Sequence, residues 1–400
     1  MKGRMMNTHT KQRGAVSLFI VIFTMLLMTV VTISFIRIML QDQQQASNQD
    51  LSQSAYDSAQ AGVEDAKRAI LQYQSTCAAD TSVAQTACKT AAALIGNQSC
   101  NQGLAGIYSS LGTDEVKVQQ TQSTGDAALD QAYTCVTIQL QTPNYLGSLE
   151  ANASKLIPLV VPTGKTFDTV TLQWFSQQDL GTTNNYTVNL LPSGASVYPL
   201  LSAWPANRPS LMRAQLIQFA GSFTLANLDG SSPTESDANT LLLYPSAAPA
   251  NNAKLFNTDG HSLPKTTGVG PQAVTCKSSL STGGYACSAT ITLPKPIGSV
   301  ANSDGTISRT AYLRVTGFYN KTSYSVSLAQ GGTTVPFDGV QPQVDSTGRA
   351  NDLFRRVQSR IDIVDPAYPD AAVDTTGGFC KNFTITDKSV DYTDPKTCTP

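Results

Sequence analysis

The chain has 400 residues, 41% of them hydrophobic and only 14% charged, well below the roughly 25% charged of average soluble domains. Lys+Arg at 27 against Asp+Glu at 28 leaves a net charge of -1, which excludes the broad basic surface of a dedicated DNA or RNA binder. Two histidines, His9 and His261, argue against a histidine base or histidine-rich metal centre, and 28 Gly with 20 Pro point to short strands joined by turns.

The N-terminus concentrates the polarity signal. Met1 to Arg13 carry Lys2, Arg4, Lys11 and Arg13 and no acid; Gly14 follows, and then the uncharged stretch Ala15–Ile36, long enough for a helix to cross a bilayer. The first acids beyond it are Asp42, Asp50 and Asp57. Base before the span and acid after it place the N-terminus in the cytoplasm and the body outside. A cleaved secretory signal fits less well, because the apolar core is too long and no A-x-A site precedes Gln41–Gln45. A plain single-span anchor stays open, since Arg37 at the outer end of the span can snorkel to the interface.

Beyond Leu40, Leu51, Ala55, Ala59, Gly62, Ala66, Ala69, Ile70 and Tyr73 recur at steps of three or four, and no Pro interrupts them. The apolar helix is therefore expected to continue as an amphipathic one to near Gln74. At 1.5 Å per residue that makes about 90 Å, three times what a membrane crossing needs. Glu64 and Arg68 form an i,i+4 pair of the favourable orientation. The small residues Ala55, Ala59, Gly62 and Ala66 permit close packing, either on a neighbouring chain or beneath the chain's own body.

A basic leader ending in Gly14, an apolar segment starting at once, and a long helix with a small, polar second half resemble the N-terminus of type IV pilins and pseudopilins. Gln12–Leu26 and Gln53–Val63 are most similar to PilX-like minor pilins and the related tip pseudopilins, and the resemblance covers about the first 75 residues. It implies that a prepilin peptidase cuts after Gly14 and methylates Ala15, and that the helix leaves the membrane to join a filament core. Most major pilins carry Glu at the fifth mature position, which here is Phe19; the usual first Phe is Ala15, and a common helix-kinking Pro is replaced by Ile36. These departures favour a minor subunit.

The expected fold class is α+β, a long N-terminal transmembrane and amphipathic helix followed by a β-rich, mainly antiparallel extracellular body. In chain order we expect a leader (1–14), the helix (15–75), a mixed α/β segment (76–165), a β-rich extracellular domain (166–335) and a C-terminal strand segment (336–400). One or two short helices precede a strand at Tyr133–Leu140. Asn144–Pro162 reads as a loop with one strand, Lys155–Val161. Further strands are expected at Thr169–Phe175, Leu211–Phe219, Thr240–Tyr244, Gln272–Lys277, Tyr285–Leu293, Thr310–Tyr319, Ser323–Leu328, Leu353–Val364 and Phe383–Thr386, of which Thr310–Tyr319 and Ser323–Leu328 read as a hairpin across Asn320–Lys321. Eight cysteines outside the membrane point to disulfides. Cys276 and Cys287 flank a Ser281–Gly284 turn, and Cys380 with Cys398 would close the C-terminal segment, a loop that also resembles the disulfide-bounded end of pilins; the pairing of Cys77, Cys88, Cys100 and Cys135 stays open.

Other motifs carry less. Pro162–Thr166 ends like a phosphate-binding loop but has Leu159 where the first glycine belongs, so it reads as a turn. Asn302–Ser308 lacks the carboxylates of a calcium cage. Asn97, Asn152, Asn185, Asn320 and Asn382 sit in N-x-[S/T] triplets. Trp174, Phe175, Trp204 and Phe219 form either a ligand-binding patch or, more in keeping with their size, buried core. No catalytic residue, metal ligand or cofactor is expected. The leading functional expectation is a minor pilin or pseudopilin at or near a filament tip, whose partners are other pilin subunits, the pilus assembly machinery, the prepilin peptidase and, before assembly, the membrane. A membrane-anchored adhesin that does not polymerise and an anchored extracellular hydrolase are the alternatives.

Overall fold

The computed structural model describes residues 14–77, 82–108, 114–119, 131–181, 186–192, 199–218, 240–255, 271–298, 300–301, 307–308 and 311–363. Its helices are α1 (Gly14–Cys77), α2 (Ser82–Ile95) and α3 (Gln102–Ile107). The strands begin with β1 (Val116–Gln119), β2 (Gln131–Thr142), β3 (Asn144–Leu149), β4 (Ser154–Pro158), β5 (Thr166–Ser176), β6 (Leu211–Gln218), β7 (Thr240–Ser246), β8 (Ala253–Leu255) and β9 (Gln272–Thr275). They continue with β10 (Tyr285–Gly298), β11 (Val300–Ala301), β12 (Ile307–Ser308), β13 (Ala311–Phe318), β14 (Thr322–Gln330), β15 (Thr333–Val335), β16 (Phe337–Ala350) and β17 (Leu353–Arg360). The fold is α+β: one long apolar N-terminal helix and a sheet-rich body of mainly antiparallel strands.

The chain divides into two compact units, one of Met1–Gln139 with Val344–Ser359 and the other of Leu140–Gln343 with Arg360–Pro400. The expected segments 76–165 and 336–400 thus each contribute to both units.

The first unit pairs the helices with a four-stranded sheet ordered β1-β2-β16-β17. Ala55, Ser58, Ala59, Gly62, Val63, Ala66, Ala69 and Ile70 are buried and fall at helical spacing along one face of α1. That face lies on the chain's own sheet. A Cβ on Gly62 would meet Val136 at 2.8 Å and the Ser346 hydroxyl closer still, and a Cβ on Gly348 would collide with the Ala55 carbonyl and the Ala59 nitrogen. The small residues left open by the sequence are therefore accounted for within one chain. Tyr133 Oη donates to Asp65 at 2.9 Å and Arg355 donates to Ser52 Oγ at 2.7 Å, pinning the same face at its middle and upper end. Asp65 also draws Arg68 to 3.2 Å, while Glu64 stands 4.0 Å from Lys67; the i,i+3 partners displace the expected Glu64–Arg68 pair.

Disulfides Cys77–Cys88 and Cys100–Cys135 close this unit's connections, the first at the end of α1 and the second between the α2–α3 turn and β2. Asn101, fully buried with a left-handed backbone (φ 60°), completes that corner: its amide accepts from Val136 N at 2.8 Å and donates to the carbonyls of Asp114 and Thr134.

The second unit is a β-sandwich. One sheet runs β15-β14-β5-β10-β8, with β3 also paired to β14, and the other runs β4-β13-β6-β7-β9. Alternate residues of both sheets, among them Val170, Leu172, Trp174, Ile291, Val326, Met212, Ala214, Leu241 and Leu313, meet in one cluster. Phe175 follows Trp174 into the core; its left-handed backbone (φ 66°) turns a side chain inward that strict alternation would send out.

Three expectations need correction. Thr310–Tyr319 and Ser323–Leu328 are not a hairpin: β13 and β14 belong to opposite sheets. Tyr319 takes φ 76°, and Asn320 donates to the carbonyls of Pro205 and Arg208 at 2.9 Å each, so the chain turns the corner instead of folding back. Asn144–Pro162 holds two strands, not one, because β3 pairs with β14 from Thr322↔Leu149 to Ser327↔Asn144. Third, β16 fills the start of the C-terminal strand segment (336–400), where the first individual strand was expected only at Leu353.

Candidate functional site

The N-terminal half of α1 carries the chain's most unusual surface. From Leu18 to Leu40 its large apolar side chains are exposed all round, from 42% at Val31 to 74% at Met39, and Phe19 stands at 73%. This stretch is long and apolar enough to cross a membrane. Its described hydroxyls are satisfied within the helix: Thr24 Oγ1 donates to Ile20 O at 3.0 Å, Thr29 to Met25 O at 2.5 Å, Thr32 to Met28 O at 2.7 Å and Ser34 to Val30 O at 2.9 Å. A cylinder that hides its hydroxyls in its own backbone loses little on leaving water. Arg37 stands near the outer end of this stretch, and Asp42 follows it.

Gly14 opens the helix and Ala15 is its second residue, so the expected cleavage point coincides with the first helical turn. Phe19 lies about one turn further on and presents an exposed aromatic ring.

The other candidate residues fall in the body or outside the described residues. Cys276 and Cys287 are joined in a disulfide and face each other across an antiparallel bridge, after which β9 and β10 diverge into opposite sheets. Cys380 and Cys398 lie outside the described residues, as do Asn185, Asn382, Phe219 and both histidines. Trp174 and Phe175 are core, whereas Trp204 belongs to a separate cluster with Leu191 and Leu211, stacked on Tyr319 at 4.1 Å and with the Arg208 guanidinium 5.2 Å from its ring centroid. They make no shared patch. Pro162–Thr166 is a turn closed by Lys165 N on Pro162 O, with Gly164 at φ 79°.

Acidic groups of the second unit are engaged by backbone and side-chain donors of the same unit. Asp179 accepts from Ser176 N at 2.7 Å and Ser323 N at 3.0 Å; Asp168 accepts from Gln330 and Gly331; Asp362 receives Tyr145 Oη at 2.9 Å and Lys155 Nζ at 2.8 Å. Burial lowers the Lys254 ammonium, which donates to the carbonyls of Ala273 and Asn251. Among the described residues no three His, Cys, Asp or Glu side chains converge as a metal site would require.

No protein-family model, curated protein or solved structure matches the chain in the comparisons made.

Proposed function

We propose that the chain is a minor pilin or pseudopilin subunit of a type IV pilus-like filament, held in the membrane by the first half of α1 before assembly and carrying a disulfide-bonded extracellular body. One observation carries the reading: a single unbroken helix whose first half is exposed, apolar and internally hydrogen-bonded, and whose second half is buried on its own sheet. A helix of that kind can exchange lipid for the apolar core of a filament without exposing an unpaired backbone group in either place. Three disulfides fit an oxidising compartment outside the cytoplasm.

A simple anchor explains the apolar half but does not call for cleavage at Gly14. Phe19 supports a position at or near the tip. In the pilin mechanism the fifth-position carboxylate neutralises the terminal amine of the subunit above, and an unpaired ammonium in an apolar core is costly. Phe19 provides no such charge, so the subunit fits best where nothing lies above it. Shearing surface filaments from cells and sequencing the N-terminus of the recovered chain tests the reading; Ala15 in the filament fraction supports it, and retention of full-length chain in the membrane argues for the anchor.

A further inference from the structure

The outer face of the sheet β4-β13-β6-β7-β9 brings two arginines together. Leu313 and Val315 of β13 and Met212, Ala214 and Leu216 of β6 point into the sandwich core, so Arg314, Thr316 and Phe318, with Arg213 and Gln215, stand on the opposite side. The register sets Arg213 opposite Thr316 and Gln215 opposite Arg314. The two arginines are therefore diagonal neighbours on adjacent strands, about 7–8 Å apart at the backbone and within reach of one ligand. Half-buried Leu242 of β7 and Leu156 of β4 flank them.

Arg213 is placed before any ligand arrives. It donates from one terminal nitrogen to Thr316 Oγ1 at 3.2 Å, and its guanidinium carbon lies 5.6 Å from the centroid of the Phe318 ring. Thr316 Oγ1 is held in turn by Ser154 Oγ at 2.9 Å. The Nε of Arg213 is buried and has no acceptor. Among the described residues no Asp or Glu forms an ion pair with Arg213 or Arg314, whereas Arg349 pairs with Glu115 and Arg356 with Asp345. Burial, and then the Arg314 charge, lower the Arg213 guanidinium from its ordinary value, so the sheet holds this cation at a cost that no carboxylate offsets. An arginine kept only for solubility turns its head into water; Arg213 is half-buried, stacked and short of an acceptor.

An anion that meets both guanidiniums needs two negative charges and several acceptor oxygens. A carboxylate brings one charge. Phosphate and sulfate bring two, on a tetrahedron whose edges fit the guanidinium fork. Gln215, opposite Arg314, adds an uncharged amide on the same side.

We propose that Arg213 and Arg314 form a binding site for a phosphate or sulfate dianion. The site belongs to the body alone and stands whether or not the chain polymerises. The test is calorimetric titration of the full chain, in micelles of an uncharged detergent, with inorganic phosphate, sulfate and acetate at an ionic strength held constant with sodium chloride. Arg314→Gln removes one charge, Arg213→Lys keeps the charge and loses the fork, and Lys165→Gln removes a charge from the exposed turn after β4 as a control. Expected is saturable binding of phosphate and sulfate, weakened about tenfold or more by Arg314→Gln and about three- to tenfold by Arg213→Lys, and unchanged by Lys165→Gln. Should Arg213→Lys fail to fold, Arg314→Gln decides alone. Phosphoserine in place of phosphate reads whether the site takes the group on an organic body or only the free ion, and either result supports it. No saturable binding, binding that Arg314→Gln leaves unchanged, or acetate bound as tightly as sulfate overturns the proposal.

Discussion

At Gly348 the sheet comes so close to α1 that a single methyl group decides the contact. A Cβ there would strike backbone atoms of Ala55 and Ala59, which cannot swing aside as a side chain can. Gly348→Ala should therefore cost about 2–3 kcal/mol of unfolding free energy in urea titration. A loss under about 0.5 kcal/mol would mean that helix and sheet are not seated as described. Buried tyrosines give the molecule a second residue-scale property. Burial, reinforced by the Asp65 hydrogen bond, raises Tyr133; burial, with Tyr324 and Asp362 beside it, raises Tyr145. Both groups hold their protons more tightly folded than unfolded, so their contribution is complete below the unfolded value near 10 and is lost as pH rises past it. The urea midpoint should stay level between about pH 8 and 9.5 and then fall, and Tyr145→Phe should flatten the fall, each such tyrosine contributing up to about 1.4 kcal/mol per pH unit. An alkaline limb unchanged in slope by Tyr145→Phe would show that this phenol does not drive it.

The elements differ in how plainly the sequence announces them, and the reason is physical. Helix α1 was readable because the continuous apolar run Ala15–Ile36 leads, without a Pro, into a stripe from Leu51 to Tyr73 at helical spacing. Strands β5, β6 and β13 alternate over 170–174, 212–216 and 311–315, where each faces the sandwich core on one side only. β16 escaped because Gly339, Pro342 and Gly348 read as turn residues; Gly348 is there to admit the helix, not to end a strand, and the alternation from Val344 to Ala350 was the available signal. The β13–β14 corner escaped because Asn320 is a turn residue in either geometry, and only contacts with Pro205 and Arg208, over a hundred residues away in sequence, select the crossing. Of the candidate site, Gly14 and Ala15 were legible as the junction of a basic stretch and an apolar one, whereas the processing expected there and the part assigned to Phe19 rest on the resemblance to pilins. The disulfides lend themselves to a graded test. Cys100–Cys135 closes 35 residues and Cys77–Cys88 closes 11, so chain-entropy arguments give about 4 and about 3 kcal/mol respectively. Paired Cys→Ser variants in urea should rank in that order; the reverse order would mean that the short clip at the end of α1 restrains more of the chain than its loop length implies.

On the scale of the whole molecule, the two ends of α1 assign the chain two surroundings, an apolar one for Leu18–Leu40 and its own sheet for Ala55–Ile70. On the proposed reading, Phe19 at the fifth mature position and the size of the body would make repeated stacking along a slim fibre unfavourable. Antibody against the body, imaged on native fibres, should label ends only, and regular labelling along the shaft would rule out the tip position while leaving assembly itself intact. Assembly rests on processing, and processing is read directly from the mature N-terminus. Mass spectrometry of the chain recovered from sheared surface filaments should find Ala15 as the first residue, bearing an added methyl group; a dominant form that begins at Met1 and stays with the membrane fraction would contradict the account.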